Sequence, residues 1–240
     1  MTVAIGIPGL RLAAVELSGV DDGGERLLDA AELLRADTFG TPALRRRFVA
    51  GRIAQRRFAA GLLGVDPAEL RAVYGCPDCG AGGTVDHGRP GYWRGGAPTG
   101  LRLSLSRSGG WALLAGTLAR GVDVGVDLQE VAAAGFDGFD DVALTPGERA
   151  AVLRLPASER PAARASAWAV KEAVAKALGR GLRMDPAGID TLGLFRARGA
   201  GPVDGGTPGI RLYALDTAAL GLPAGFAAAL ALATGEGSGS

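Results

Sequence analysis

Apolar and polar residues alternate through "VDVGVDLQE", residues 122–130. Val122, Val124, Val126 and Leu128 fall on one face, and Asp123, Gly125, Asp127 and Gln129 on the other. That period of two predicts a β-strand. Strand-like runs also occur at "LRLSLS" (101–106), "WALLAGTLA" (111–119), "IDTLGLF" (189–195), "IRLYAL" (210–215) and "FAAALALA" (226–233). Helical stretches are predicted within "RRRFVAGRIAQRRFAAGLLGVDPAEL" (45–70) and "SAWAVKEAVAKALGRGLRMDPAGI" (166–189), with shorter amphipathic helices at 25–37 and 146–155. Segments 75–100 and 196–209 are rich in glycine and are expected to be loops.

The two long helical stretches follow one plan. Each closes in Leu-Gly and is followed by Asp-Pro-Ala, at 66–68 and again at 185–187. Strand-like segments follow each of them. The expected fold class is therefore α+β: two similar halves, each a helix packed on a small mixed or antiparallel sheet, related by a pseudo-twofold duplication. The boundaries are expected at 1–121 and 122–234, with a flexible tail at 235–240. The interface between two such halves is a natural place for a site.

Composition narrows the class. At 240 residues, 48% hydrophobic and 21% charged, the chain is globular, and its formal charge of +1 gives no whole-protein argument for nucleic acid or an anionic membrane. Two cysteines do not make a disulfide framework. "MTVAIGIPGLRLAAVELSG" lacks the pattern of a signal peptide, and "FAAALALA" is too short to span a bilayer. A cytoplasmic protein is expected.

Three constellations carry candidate chemistry. No acidic residue lies between Asp37 and Asp66, while Arg45, Arg46, Arg47, Arg52, Arg56 and Arg57 do. Arg45, Arg52 and Arg56 share one helix face, and Arg47 projects near the side carrying Phe58 and Leu62. This is either a solvated basic face or an anion site. "SLSRSGG" (104–110) gathers Ser106, Arg107 and Ser108 at a tight turn, a reasonable anion cradle. In "WAVKEAVAKALG" (168–179), Trp168, Glu172 and Lys176 line one helix face. Asp127 on its strand and Glu172 on that helix could pair around a hard divalent cation, with Gln129 pointing the same way as Asp127. Surrounding cations would hold a phosphate-bearing ligand, so the combination reads as a metal–phosphate site.

"GVDLQ" (125–129), followed some forty residues on by "WAVKEAVAKALGRGL", resembles the paired signature of the 4′-phosphopantetheinyl transferases, most nearly their larger, Sfp-type pseudo-dimeric subgroup. The resemblance takes in "RRRFVAGR", "HGRP" (87–90) and "SLSRSGG", and so covers roughly residues 40–190. It implies two similar α+β halves with the active site between them. The implied reaction is Mg²⁺-dependent transfer of the phosphopantetheine arm of coenzyme A to a serine of an acyl or peptidyl carrier protein, releasing 3′,5′-ADP. Mn²⁺ is a candidate substitute ion. Position by position, Asp127 and Glu172 match the family's metal-binding acids, and Gln129 stands where many relatives carry a further acid. Lys176 is assigned to the pyrophosphate and Lys171 to coenzyme A. Arg47, Arg89, Ser106 and Arg107 match its other coenzyme A ligands, with Arg107 in place of the usual histidine and Ser104 in place of the usual asparagine. Glu172 is the candidate base, Lys176 the candidate stabiliser of the departing phosphate, and Asp127 completes the catalytic set. The resemblance implies a monomer that acts on carrier proteins, without nucleic acid or membrane.

Two alternatives stand beside this reading. One is a degenerate homologue that binds coenzyme A or a carrier without turnover, motivated by Gln129. The other is a phosphate- or nucleic-acid-binding module built on the arginine helix. "CPDCGAGGTVDHG" (76–88) offers Cys76, Cys79 and His87 as zinc ligands, with Asp78 or Asp86 as a fourth; too few clear N/S ligands favour a metal-free loop.

Overall fold

A computed structural model describes residues 2–3, 7–76, 80–82, 88–179, 185–193, 203–204 and 209–234. The chain divides into two compact units, Met1–Arg120 and Gly121–Ser240. The α+β class expected from the sequence is the one observed.

The first unit contains strands β1 (Thr2–Val3), β2 (Leu10–Glu16), β3 (Leu70–Cys76), β4 (Gly80–Gly82), β5 (Arg89–Arg94), β6 (Ala97–Pro98), β7 (Arg102–Ser108) and β8 (Trp111–Thr117), with helices α1 (Ala30–Ala36) and α2 (Pro42–Leu63). They form two antiparallel four-stranded sheets, ordered β1-β2-β8-β7 and β4-β3-β5-β6. The α2 helix starts where the Thr41 hydroxyl accepts the Leu44 N–H at 3.3 Å, with Pro42 in its first turn, and it stops at Gly64. Its apolar side, including Ala54, Phe58 and Ala59, packs with Leu70, Tyr74, Tyr92, Leu103 and Leu114. A two-residue turn through Gly109 and Gly110 joins β7 to β8 and pairs Ser108 with Trp111.

The second unit contains β9 (Val122–Glu130), β10 (Val203–Asp204), β11 (Ile210–Ala214) and β12 (Phe226–Thr234), with helices α3 (Phe139–Ala143), α4 (Pro146–Arg154) and α5 (Arg160–Ala177). One antiparallel sheet runs β10-β11-β12-β9. In the β9–β12 register, Asp123, Gly125, Asp127 and Gln129 sit opposite Ala233, Ala231, Ala229 and Ala227. This face of small residues lets α5 lie close: Ala169, Ala173 and Ala177 recur every fourth residue and pack with Ala229 and Ala231.

Strand order recurs between the units. In the first, β2 pairs with the final strand β8, which pairs with β7; in the second, β9 pairs with the final strand β12, which pairs with β11.

Three local expectations are corrected. The helix expected at 25–37 is broken: a 3₁₀ turn covers Asp22–Leu27 and α1 starts only at Ala30, because Asp29 and Glu32 form a capping box that begins a new helix there. Segment 75–100 is not one loop, since β3 ends in it and β5 and β6 lie within it. The backbone pairing of β5 with β3, and of β6 with β5, does not need the apolar alternation that Gly and Pro interrupt. Ile189–Gly193 forms no strand; it follows a 3₁₀ turn at Pro186–Gly188, and Leu194 and Phe195 lie outside the described residues. Among the described residues, no helix is long and apolar enough to cross a membrane.

Candidate active site

The closeness of α5 to β9 decides what the site can be. A Cβ added to Gly125 would stand 2.0 Å from the Ala173 carbonyl oxygen and 2.4 Å from the Ala177 backbone nitrogen, so only glycine fits at this point of the strand. Two residues on, the same strand face carries Asp127, which is buried. The Lys176 Nζ donates to Asp127 Oδ1 at 2.6 Å and to the Val126 carbonyl at 3.2 Å. Glu172 lies one helical turn before Lys176 and is half-buried. Burial pushes its carboxyl above the ordinary range; Lys176 pulls it part of the way back, and the Asp127 charge adds to the push. Gln129, half-buried, donates its amide N–H weakly to the Glu130 carbonyl at 3.4 Å. Trp168, on the same helix face, packs edge-on against Phe139 with ring centroids 6.0 Å apart, so an aromatic contact accounts for it.

The donor set suits a hard cation. Asp127, Glu172 and the Gln129 amide offer only oxygen, and among the described residues no cation lies within ion-pair distance of Glu172. Two carboxylates held near each other at low exposure are what a divalent ion neutralises. Among the described residues, no group of three or more His, Cys, Asp or Glu could form a metal cage. An ion here would therefore depend on solvent or ligand oxygens for the rest of its sphere.

Lys171 is placed elsewhere, which corrects the expectation that it meets coenzyme A. Its ammonium is sealed from solvent, donating to Glu148 Oε2 at 2.6 Å and the Ala143 carbonyl at 2.7 Å. Burial alone would raise the Glu148 carboxyl, but hydrogen bonds from Lys171, from Thr191 and from the Thr145 backbone hold it below the ordinary range. The first unit has the same device. Arg56, also buried, donates to Glu32 at 2.7 Å, to Asp29 at 2.6 Å and to the Leu70 carbonyl at 2.5 Å, while the Tyr74 hydroxyl donates to Glu32 at 2.6 Å. Glu32 and Glu148 each close a capping box at the start of a short helix. Arg56 and Lys171 each stand eight residues before the glycine that follows their long helix, Gly64 and Gly179. These two hubs were not recognised from sequence, where Arg56 was grouped with a basic face and Lys171 with the site.

In the first unit the arginine cluster splits by partner. Arg45 bonds Glu25 at 2.5 Å and Asp37 at 3.1 Å, Arg57 reaches Asp21 at 4.0 Å, and Arg56 serves its hub. Three of the six arginines of the cluster therefore have carboxylate partners within the first unit. Arg47, Arg52 and Arg107 have no carboxylate within ion-pair distance among the described residues. Arg107 lies across α2 where Gly51 leaves room, since a Cβ there would meet its Cδ at 2.9 Å. The Arg107 and Arg52 guanidiniums stack 5.3 and 5.0 Å from the Phe48 ring centroid, and Arg52 lies 4.6 Å from that of Tyr74. Burial, with the nearby charges of Arg52 and Arg47, lowers Arg107 to about 10, which leaves it charged at neutral pH. Ser106 and Ser104 are buried on the same strand, and Arg89 opens β5, half-buried. Arg47, with Arg46, lines a cavity of about 700 Å³ bounded also by Glu16, Asp21 and Trp111. Arg47, Arg52 and Arg107, clustered without an ion-paired carboxylate of their own among the described residues, are an arrangement suited to an anion. The zinc candidates Cys79 and His87 lie outside the described residues, as does the side chain of Cys76.

Comparison with known proteins bears on both units. Residues 123–227 match the profile of the 4′-phosphopantetheinyl transferase superfamily. The chain is 31% identical over 156 residues to the 4′-phosphopantetheinyl transferase HetI of a Nostoc species, an alignment covering 65% of this chain and 61% of the relative. The matched region of the superfamily profile contains Asp127, Glu172 and Lys176 together, so the similarity to the 4′-phosphopantetheinyl transferase superfamily falls on the residues that build this site.

Proposed function

We propose that this protein transfers the 4′-phosphopantetheine group of coenzyme A to a serine of an acyl or peptidyl carrier protein and releases 3′,5′-ADP. The observation that carries this reading is the Asp127–Lys176–Glu172 cluster on β9 and α5, inside the region matched by the superfamily profile. Asp127 and Glu172, with Gln129 through its amide oxygen or a water, would hold Mg²⁺. The ion, when bound, supplies neutralisation of charge on the pyrophosphate. Arg47, Arg89, Ser106 and Arg107 hold the phosphate groups of coenzyme A, and Lys176 faces the pyrophosphate. Glu172 accepts the proton of the carrier serine as its oxygen attacks the phosphorus that bears the pantetheine arm. The bond from that phosphorus to the nucleotide breaks, and Lys176 stabilises the departing phosphate.

We also read the two units as products of one duplication, of the Sfp type, acting as a monomer in the cytoplasm. The repeated strand order and the repeated Glu–cation hub support the duplication. Release of 3′,5′-ADP from coenzyme A, followed by chromatography, tests the reaction. It should require a carrier and a divalent ion and vanish in Asp127→Ala; ADP release independent of either would contradict the reading.

A further inference from the structure

We propose that the Lys176 ammonium competes with the divalent cation: it occupies Asp127 until a metal ion displaces it, and displacement releases it toward the substrate's phosphate groups. This rests on the metal–phosphate reading above and adds an order of events to it.

The geometry places the ammonium on the carboxylate that the metal would need. Lys176 Nζ is 2.6 Å from Asp127 Oδ1, the distance of a charge-assisted hydrogen bond, and its second bond goes to the Val126 carbonyl at 3.2 Å. An ammonium and a divalent ion cannot share that oxygen without facing each other at a separation of a few ångström, where like charges at low exposure repel strongly. Charge balance favours exchange. Asp127, Glu172 and Lys176 sum to one negative charge, and replacing the ammonium by a divalent ion brings the two carboxylates to neutrality. Lys176 is a quarter exposed, so it has a route outward, and its position one turn after Glu172 keeps a released ammonium near the site.

Residue choice supports the same view. Of the 26 basic residues in the chain only Lys171 and Lys176 are lysines, both on α5 and both 2.6 Å from a carboxylate. Lys171 is sealed inside a hub and structural, whereas Lys176 is accessible. A guanidinium would grip Asp127 through a rigid two-pronged fork; an ammonium is a compact point charge that a metal ion can replace.

The test uses Mn²⁺ and the whole chain. Binding is measured by calorimetry at pH 8 without coenzyme A. Acylation of lysine by an amine-specific ester is located by mass spectrometry, with the buried Lys171 as internal reference. We expect saturating Mn²⁺ to speed acylation of Lys176 severalfold and leave Lys171 unreactive. Lys176→Met should bind Mn²⁺ about tenfold more tightly than the parent, the size of an ordinary coupling between two bound species. If the parent binds Mn²⁺ through Asp127 but neither Lys176 acylation nor the affinity of Lys176→Met changes, the competition is refuted and the metal site stands. If the parent binds no Mn²⁺ in a manner that Asp127→Asn abolishes, the metal reading falls and takes the competition with it. Should Lys176→Met fail to fold, acylation of the parent decides alone.

Discussion

Replacing Gly125 by alanine tests the contact on which the candidate site is built. The new Cβ would lie 2.0 Å from the Ala173 oxygen and 2.4 Å from the Ala177 nitrogen. Comfortable carbon contacts begin near ~3.5 Å, so α5 would have to retreat by about 1 Å or more. Neither obstacle can rotate away, because both are helix backbone. Overpacking ordinarily costs about 1–3 kcal/mol, and here the retreat also loosens Ala169, Ala173 and Ala177 from Ala229 and Ala231. We expect a loss of about 3–4 kcal/mol, beyond the common range for point substitutions. With a urea slope of roughly 2 kcal/mol per molar, the midpoint should fall by about 1.5–2 M. The same retreat should part Lys176 from Asp127, now 2.6 Å apart, and raise Lys176 acylation without metal. The matched control is Gly61→Ala on the exposed side of α2, where an added Cβ meets nothing within 4 Å; it should stabilise by about 0.5–1 kcal/mol. An unchanged midpoint for Gly125→Ala would mean that α5 does not seat on β9 as described.

Further outcomes follow from the hubs and ion pairs. Lys171→Met leaves the Glu148 carboxylate buried without its cation and should cost about 3–5 kcal/mol by chemical denaturation. Adding Glu148→Leu should recover part of that loss, and a double-mutant cycle with no coupling would contradict the hub. Asp140, bonded by Arg164 at 2.6 and 2.7 Å, is held below the ordinary carboxylate range chiefly by that hydrogen bond. A depressed folded-state value gives stability that is complete above the unfolded value, about 4, and lost as pH falls through the folded one. The stability difference between the parent and Asp140→Asn should therefore be flat above about pH 5 and shrink on acidification; a difference that grows toward acid would reverse the assignment. Arg107→His should make coenzyme A affinity fall as pH rises through the histidine range near ~6.5, whereas the parent, charged throughout, should show no such step there.

What the sequence made legible was local. The alternation of 122–130 and the spacing of Trp168, Glu172 and Lys176 located β9, α5 and their polar faces, whereas the close approach of α5 at Gly125 is seen only in the folded chain. The partners that sort similar residues into different roles are distant in sequence. Lys171 and Lys176 look alike on a helix wheel, yet Lys171 meets Glu148, a residue 23 positions earlier, and Lys176 meets Asp127, 49 positions earlier. Arg45 and Arg56 read, with Arg52, as one basic face because the acids that Arg45 and Arg56 meet, Glu25 to Asp37, belong to a preceding segment. β5 escaped notice because Gly91 and Pro90 interrupt its pattern while its backbone still pairs with β3.

The most direct measurement is the intact mass of an apo carrier protein after incubation with this protein, coenzyme A and Mg²⁺. A gain of one phosphopantetheine group, absent with a chelator and absent with Asp127→Ala, is the expected result. No gain on acyl or peptidyl carriers, from protein that binds coenzyme A and Mn²⁺, would contradict the transferase reading.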